Sequence, residues 1–131
     1  MAQPSPLLQI LNPSAGEGSA PNWPALVGEG LARSAFAALA VSLALSERQL
    51  ATALGVALPP KANPVLSLDA SEGVYRAAAA LAELQTKTNK ATPACAAWLA
   101  SPSALLKGRI PMELLKTSIG CEYVATAIAR L

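Results

Sequence analysis

Prolines set the limits on this chain. Beyond residue 22 they stand at 24, 59, 60, 64, 93, 102 and 111. A proline suits a helix only in its first turn, because it lacks the amide donor and disfavours helix in the residue before it. Residues 57–68 (ALPPKANPVLSL), with three prolines, therefore cannot form an ordinary helix, while Pro24, Pro93, Pro102 and Pro111 each mark an opening. Between these marks the side chains favour helix: alanine (29) and leucine (21) supply 50 of the 131 residues, and only Trp23, Phe36, Tyr75, Trp98 and Tyr123 are aromatic. Ala and Leu lose least on entering a helix, whereas sheets draw on β-branched and aromatic residues. The expected fold is all-α, a compact multi-helix domain, and the length fits one such unit.

Residues 1–22 hold four prolines and a Gly/Ser/Ala stretch, the composition of a disordered N-terminal tail. Asn22 and Pro24 open a first long helix over 24–45, along which Leu31, Ala35, Leu39 and Leu43 recur every four residues. Ser46-Glu47-Arg48-Gln49 has the form of a capping box, so a new helix begins there, presents Leu50, Ala53 and Leu54, and stops at Gly55. After the proline segment, Asp69 or Ser71 caps a third helix carrying Val74, Ala78, Leu81 and Leu84. Thr92-Pro93 starts a fourth through Trp98 and Leu99. Pro102 opens a short turn or helix that Gly108 breaks, Pro111 opens another, and residues 118–120 separate it from a last helix. Three segments result: a flexible tail over 1–22, a helical hairpin over 23–68, and a helical domain over 69–131.

Several functions are excluded by what the chain lacks. Without any histidine there is no Ser-His-Asp or Cys-His nucleophilic machinery, no Cys2His2 zinc site and no imidazole base. Cys95 and Cys121, 26 positions apart, indicate neither a zinc ribbon nor a disulfide framework, and are read as small core residues of a cytoplasmic protein. Glu113 and Glu122 have no metal ligand or nucleophile nearby in sequence to make them a hydrolytic pair. The expectation is a non-enzyme with no cofactor and no metal. The first 32 residues contain no Lys or Arg, unlike a secretory signal, and the longest apolar stretch, residues 34–45, is too short to cross a bilayer.

Charge is compatible with nucleic acid but does not argue for it, and an ordinary solvated surface accounts for it. Residues 46–131 hold nine basic and six acidic side chains, a net of +3, without a concentrated basic stripe. Residues 45–56 read like the first helix and turn of a helix-turn-helix, in which a capped helix hands over at Gly55 to a recognition helix. The segment that should be that helix offers only Lys61 and Asn63 among prolines. The N-terminal part is thus a degenerate helix-turn-helix-like hairpin, with Lys61 its one weak DNA-binding candidate. Because residues 35–45 are apolar or alanine-rich on nearly all sides, the region 24–56 is also expected to form a homodimer.

The most distinctive order of residues lies between 97 and 124. Trp98-Leu99 anchor one helix, Pro102 turns the chain, Gly108 and Pro111 fix a sharp entry into the next helix with Leu114-Leu115 behind it, and Gly120 lets the final, Val124-bearing helix approach closely. Trp98, Leu99, Leu115 and Val124 are expected in the core. Lys107, Arg109, Met112, Lys116 and Arg130, polar or adaptable and flanking the shaped turn, are the interface candidates. This order closely resembles the C-terminal toxin-binding domain of Xre/MbcA/ParS-type antitoxins, over about residues 45–131. Ser71, Tyr75 and Arg76 fall where that family carries its Ser/Arg-containing helix. The resemblance implies an antitoxin that occludes the active site of a RES-type, NAD-consuming toxin. Such a cleft would be basic, so Glu113, Met112 and Glu122 would face it while Arg109 and Arg130 grip its rim. An operon autorepressor or a helical interaction adaptor are the alternative functions.

Overall fold

The computed structural model describes residues 10–11 and 23–131. The described chain is helical, with α1 at Trp23–Glu29, α2 at Arg33–Ser42, α3 at Glu47–Leu54, α4 at Leu68–Thr88, α5 at Thr92–Ala100, a 3-10 turn at Ala104–Leu106, α6 at Pro111–Leu114 and α7 at Ser118–Ala129. No β-strand occurs among the described residues, as the Ala/Leu dominance predicts.

The fold is arranged around α4, which packs against α1, α2, α3, α5 and α7. Its sequence explains this: Ala70, Gly73, Ala77, Ala78, Ala80 and Ala82 let neighbours approach on several sides, while Val74, Leu81 and Leu84 fill the space between them. A helix apolar around much of its circumference is a buried helix. The expected boundary between 23–68 and 69–131 falls at the start of α4, and helices from both sides pack on it. Phe36, Leu39, Leu50, Leu99, Leu115 and Val124 are fully buried, each such side chain contributing roughly 1.5–3 kcal/mol.

The single helix expected over 24–45 is broken, although Leu31, Ala35, Leu39 and Leu43 are all buried as their spacing requires. The cause lies at Gly30, whose φ is +98° and where a Cβ would sit 2.5 Å from Val65 Cγ1 and 2.7 Å from the Leu66 carbonyl oxygen. The proline segment returns along this break. Arg33 N–H donates to the Pro64 carbonyl (2.9 Å) and Leu66 N–H to the Leu31 carbonyl (2.8 Å), around an isolated antiparallel bridge of Ala32 with Val65. Prolines 59, 60 and 64 cannot donate, so Pro64 joins the bridge through its carbonyl alone and Leu66 supplies the donor from the loop.

Ser71 is not the cap of α4. Its hydroxyl is fully buried and accepts the Leu31 N–H at 2.9 Å, satisfying a donor that the break leaves free, while Ser67 caps α4 by accepting from Ala70 N–H at 3.2 Å. The capping box on α3 forms as read, with Gln49 N–H on Ser46 Oγ, Gln49 Oε1 on Ser46 N–H, and Gly55 left-handed at the end. Arg33 ties these parts together. Its guanidinium pairs with Glu47, donates to the Pro59 carbonyl at 3.3 Å and stands 5.7 Å over the Phe36 ring.

At the N-terminus, Ile10 and Leu11 are buried in the core. The rest of 1–22 lies outside the described residues. Residues 118–120 are not a separator either: α7 begins at Ser118, capped by Thr117, and Gly120 sits in its first turn.

Candidate functional site

The distinctive order between 97 and 124 folds into a chain of tight turns. After α5, Ser103 N–H donates to the Arg109 carbonyl (3.0 Å) and Gly108 N–H to the Ser103 carbonyl (2.8 Å), closing a small loop around the 3-10 turn. Lys107 (φ 58°) and Gly108 (φ 83°) are both left-handed, which reverses the chain and delivers an exposed Arg109 at the loop's exit. Pro111 is buried and opens α6, as its position predicts.

The turn from α6 into α7 is held from outside the segment. Arg76, on α4, donates Nε to the Leu115 carbonyl (3.2 Å) and a terminal NH2 to the Lys116 carbonyl (3.4 Å), and pairs with Glu72 at 3.7 Å. These carbonyls follow a helix too short to satisfy its own C-terminal acceptors, so the guanidinium does the work of a cap. Thr117 Oγ1 accepts the Gly120 N–H at 2.9 Å, and a Cβ at Gly120 would lie 1.9 Å from the Leu114 carbonyl oxygen. The close approach expected of Gly120 is thus backbone against backbone.

Of the interface candidates, Lys107, Arg109, Glu113, Lys116, Glu122 and Arg130 are exposed. Lys116 lays its alkyl stem 3.6 Å from the Cβ position of Gly55, bridging α3 to the α6–α7 turn. Met112 differs: only 6% of its surface is exposed, because α6 turns it inward beside Leu43, Leu99 and Ile110, so it is a core residue. Leu99, Leu115 and Val124 are fully buried as expected, whereas Trp98 is only half-buried against the core. Pro102 and Gly108 are exposed turn residues. Lys61 sits on the exposed proline loop and not on a helix that could enter a groove of DNA.

Two side chains that the sequence did not single out stand out on α7. Ile119 is 70% and Tyr123 64% exposed, on a flank of the helix beside the face made by the buried Gly120, Val124, Ala127 and Ile128. A signal was present in the four-residue spacing of Ile119 and Tyr123, hidden because residues 118–120 read as a spacer.

Among the described residues no group of three His, Cys, Asp or Glu is placed to hold a metal ion. Both cysteines are free; Cys95 is buried, and burial pushes the half-buried Cys121 thiol above its usual range despite the opposing pull of Arg76. No helix among the described residues is long and apolar enough to cross a membrane.

No curated protein matches the chain. The part of the molecule that matches a known family is narrower than the stretch over which the resemblance was read, and it holds the turns just described. Residues 89–131, from the Asn89 turn through α7, match the family model of the antitoxin Xre/MbcA/ParS C-terminal toxin-binding domain.

Proposed function

We propose that the protein is the antitoxin of a toxin–antitoxin pair, binding a RES-type, NAD-consuming toxin and occluding its active site without chemistry of its own. The observation that carries this reading is the match of residues 89–131 to an antitoxin's toxin-binding domain. The site's character supports it, since a rigid turn presents Lys107, Arg109, Glu113 and Lys116 at low entropic cost to a partner. In this reading Glu113 and Glu122 face the basic NAD cleft, and Arg109 and Arg130 hold its rim.

The complex is cytoplasmic and contains the antitoxin as a homodimer through 24–56, where Val41 (80% exposed) leaves an apolar point on α2 uncovered. DNA is at most a weak, non-specific partner, with Lys61 its contact. The test is co-expression with the product of the neighbouring toxin reading frame. Growth arrested by the toxin is expected to recover, with NAD restored; persistence of the arrest with both proteins soluble would refute the antitoxin role, and recovery from a toxin that leaves NAD untouched would refute the RES assignment.

A further inference from the structure

The exposed side of α7 carries a stripe: Ile119, Tyr123, Thr126 and Arg130, spaced i, i+4, i+7 and i+11 and therefore on one flank of the helix. We infer that this stripe is the principal docking surface for the toxin, and that it takes an apolar groove with an acidic group at the end where Arg130 falls. The inference rests on the antitoxin reading and names its contact.

Three observations converge on it. The stripe lies wholly within residues 89–131, the part that matches a toxin-binding domain, and it is the most apolar exposed surface there: Ile119 at 70% and Tyr123 at 64% exceed Leu105 at 42% and Leu131 at 43%. Large apolar and aromatic side chains exposed together are what a partner buries, and aromatic and arginine residues carry much of the binding in such interfaces. The helix is also fixed in rotation. Val124, Ala127 and Ile128 are buried beneath it, Thr117 caps it, and Gly120 seats it against the Leu114 carbonyl, so the backbone under the stripe is already ordered. Thr126's hydroxyl is occupied by its own helix, donating to the Glu122 carbonyl at 3.0 Å.

The stripe differs from the charged turn at 107–116, and the two can be separated. The probe is the purified, catalytically silenced product of the adjacent toxin reading frame, titrated calorimetrically against the full chain. Ile119→Asp and Tyr123→Asp are each expected to weaken binding by at least roughly tenfold, Ile119→Leu to restore most of it, and Lys87→Gln, on an exposed position outside the stripe, to leave it within about twofold. All three side chains are exposed, so thermal midpoints should hold. On the wild-type protein, hydrogen exchange over 119–130 should slow when the toxin is added, a readout that needs no variant. If the wild type does not bind, the antitoxin reading fails and this one with it. If the wild type binds while both Asp variants bind equally well and 119–130 is not protected, only the stripe is wrong. If the Asp variants dissociate a homodimer and leave toxin affinity unchanged, the stripe joins two copies of this chain and the inference is overturned.

Discussion

At Gly120 the space for a side chain is already filled by the Leu114 carbonyl oxygen, 1.9 Å from where a Cβ would stand. Backbone on both sides leaves nothing to rotate away, so Gly120→Ala must push α7 off α6. The expected cost is about 3 kcal/mol, at the upper end for overpacking, and a fall of roughly 10 °C in thermal midpoint by calorimetry. A midpoint within about 2 °C of wild type would show that the α6–α7 turn yields easily. Arg109 makes the opposite kind of prediction, because its side chain is exposed and the loop behind it is closed by the Ser103–Arg109 bridge. Arg109→Glu is expected to leave the midpoint unchanged and to weaken toxin binding at least roughly tenfold, about 1.4 kcal/mol, if Arg109 holds the toxin's rim as proposed. Equal affinity in a titration would move the rim contact away from the loop.

Among the elements, α3 shows what local rules decide. Its eight residues are too few to hold a helix in isolation, so the reciprocal Ser46–Gln49 cap matters, and Ser46→Ala should cost about 1 kcal/mol of unfolding free energy in a denaturant titration. No change in the midpoint concentration would mean that packing of Leu50, Ala51 and Leu54 alone sets the helix start. This cap was readable because both partners lie within four residues. So were the proline openings of α5 and α6, and the refusal of 57–68 to form a helix. The break at Gly30 was not, since Leu31, which lies within it, keeps the four-residue spacing of Ala35, Leu39 and Leu43 beyond it. What breaks the helix is Val65 and Leu66, more than thirty residues away in sequence, arriving where a Cβ would be. Ser71 was misread for the same reason: its donor, Leu31 N–H, is 40 positions distant. At the candidate site, the turn residues Gly108, Pro111 and Gly120 were visible from backbone preference alone. The inward direction of Met112 and the outward direction of Ile119 and Tyr123 depend on how α6 and α7 are rotated, which Arg76 and the Leu114 carbonyl help to determine from other elements.

For the whole molecule, the segment that matches the toxin-binding family and the unit that folds are different. Residues 89–131 form α5, α6 and α7, but α5 and α7 each pack most extensively against α4, which ends at Thr88. Arg76 on α4 also supplies the donors for the Leu115 and Lys116 carbonyls, and Lys116 leans on the end of α3. A fragment of this size, with no disulfide and no metal-ligand cluster among the described residues, falls near the limit below which chains rarely fold alone. Residues 89–131 expressed alone are therefore expected to show little helix by far-UV circular dichroism and no cooperative melt, whereas the full chain melts as one transition. The toxin could still order the fragment on binding, at an entropic cost the full chain has already met. Its affinity should then be at least roughly tenfold weaker than that of the full chain, about 1.4 kcal/mol. A fragment that melts cooperatively and binds as tightly as the whole protein would show that α4 is a support for the N-terminal helices only, and that the docking surface is shaped within residues 89–131 themselves.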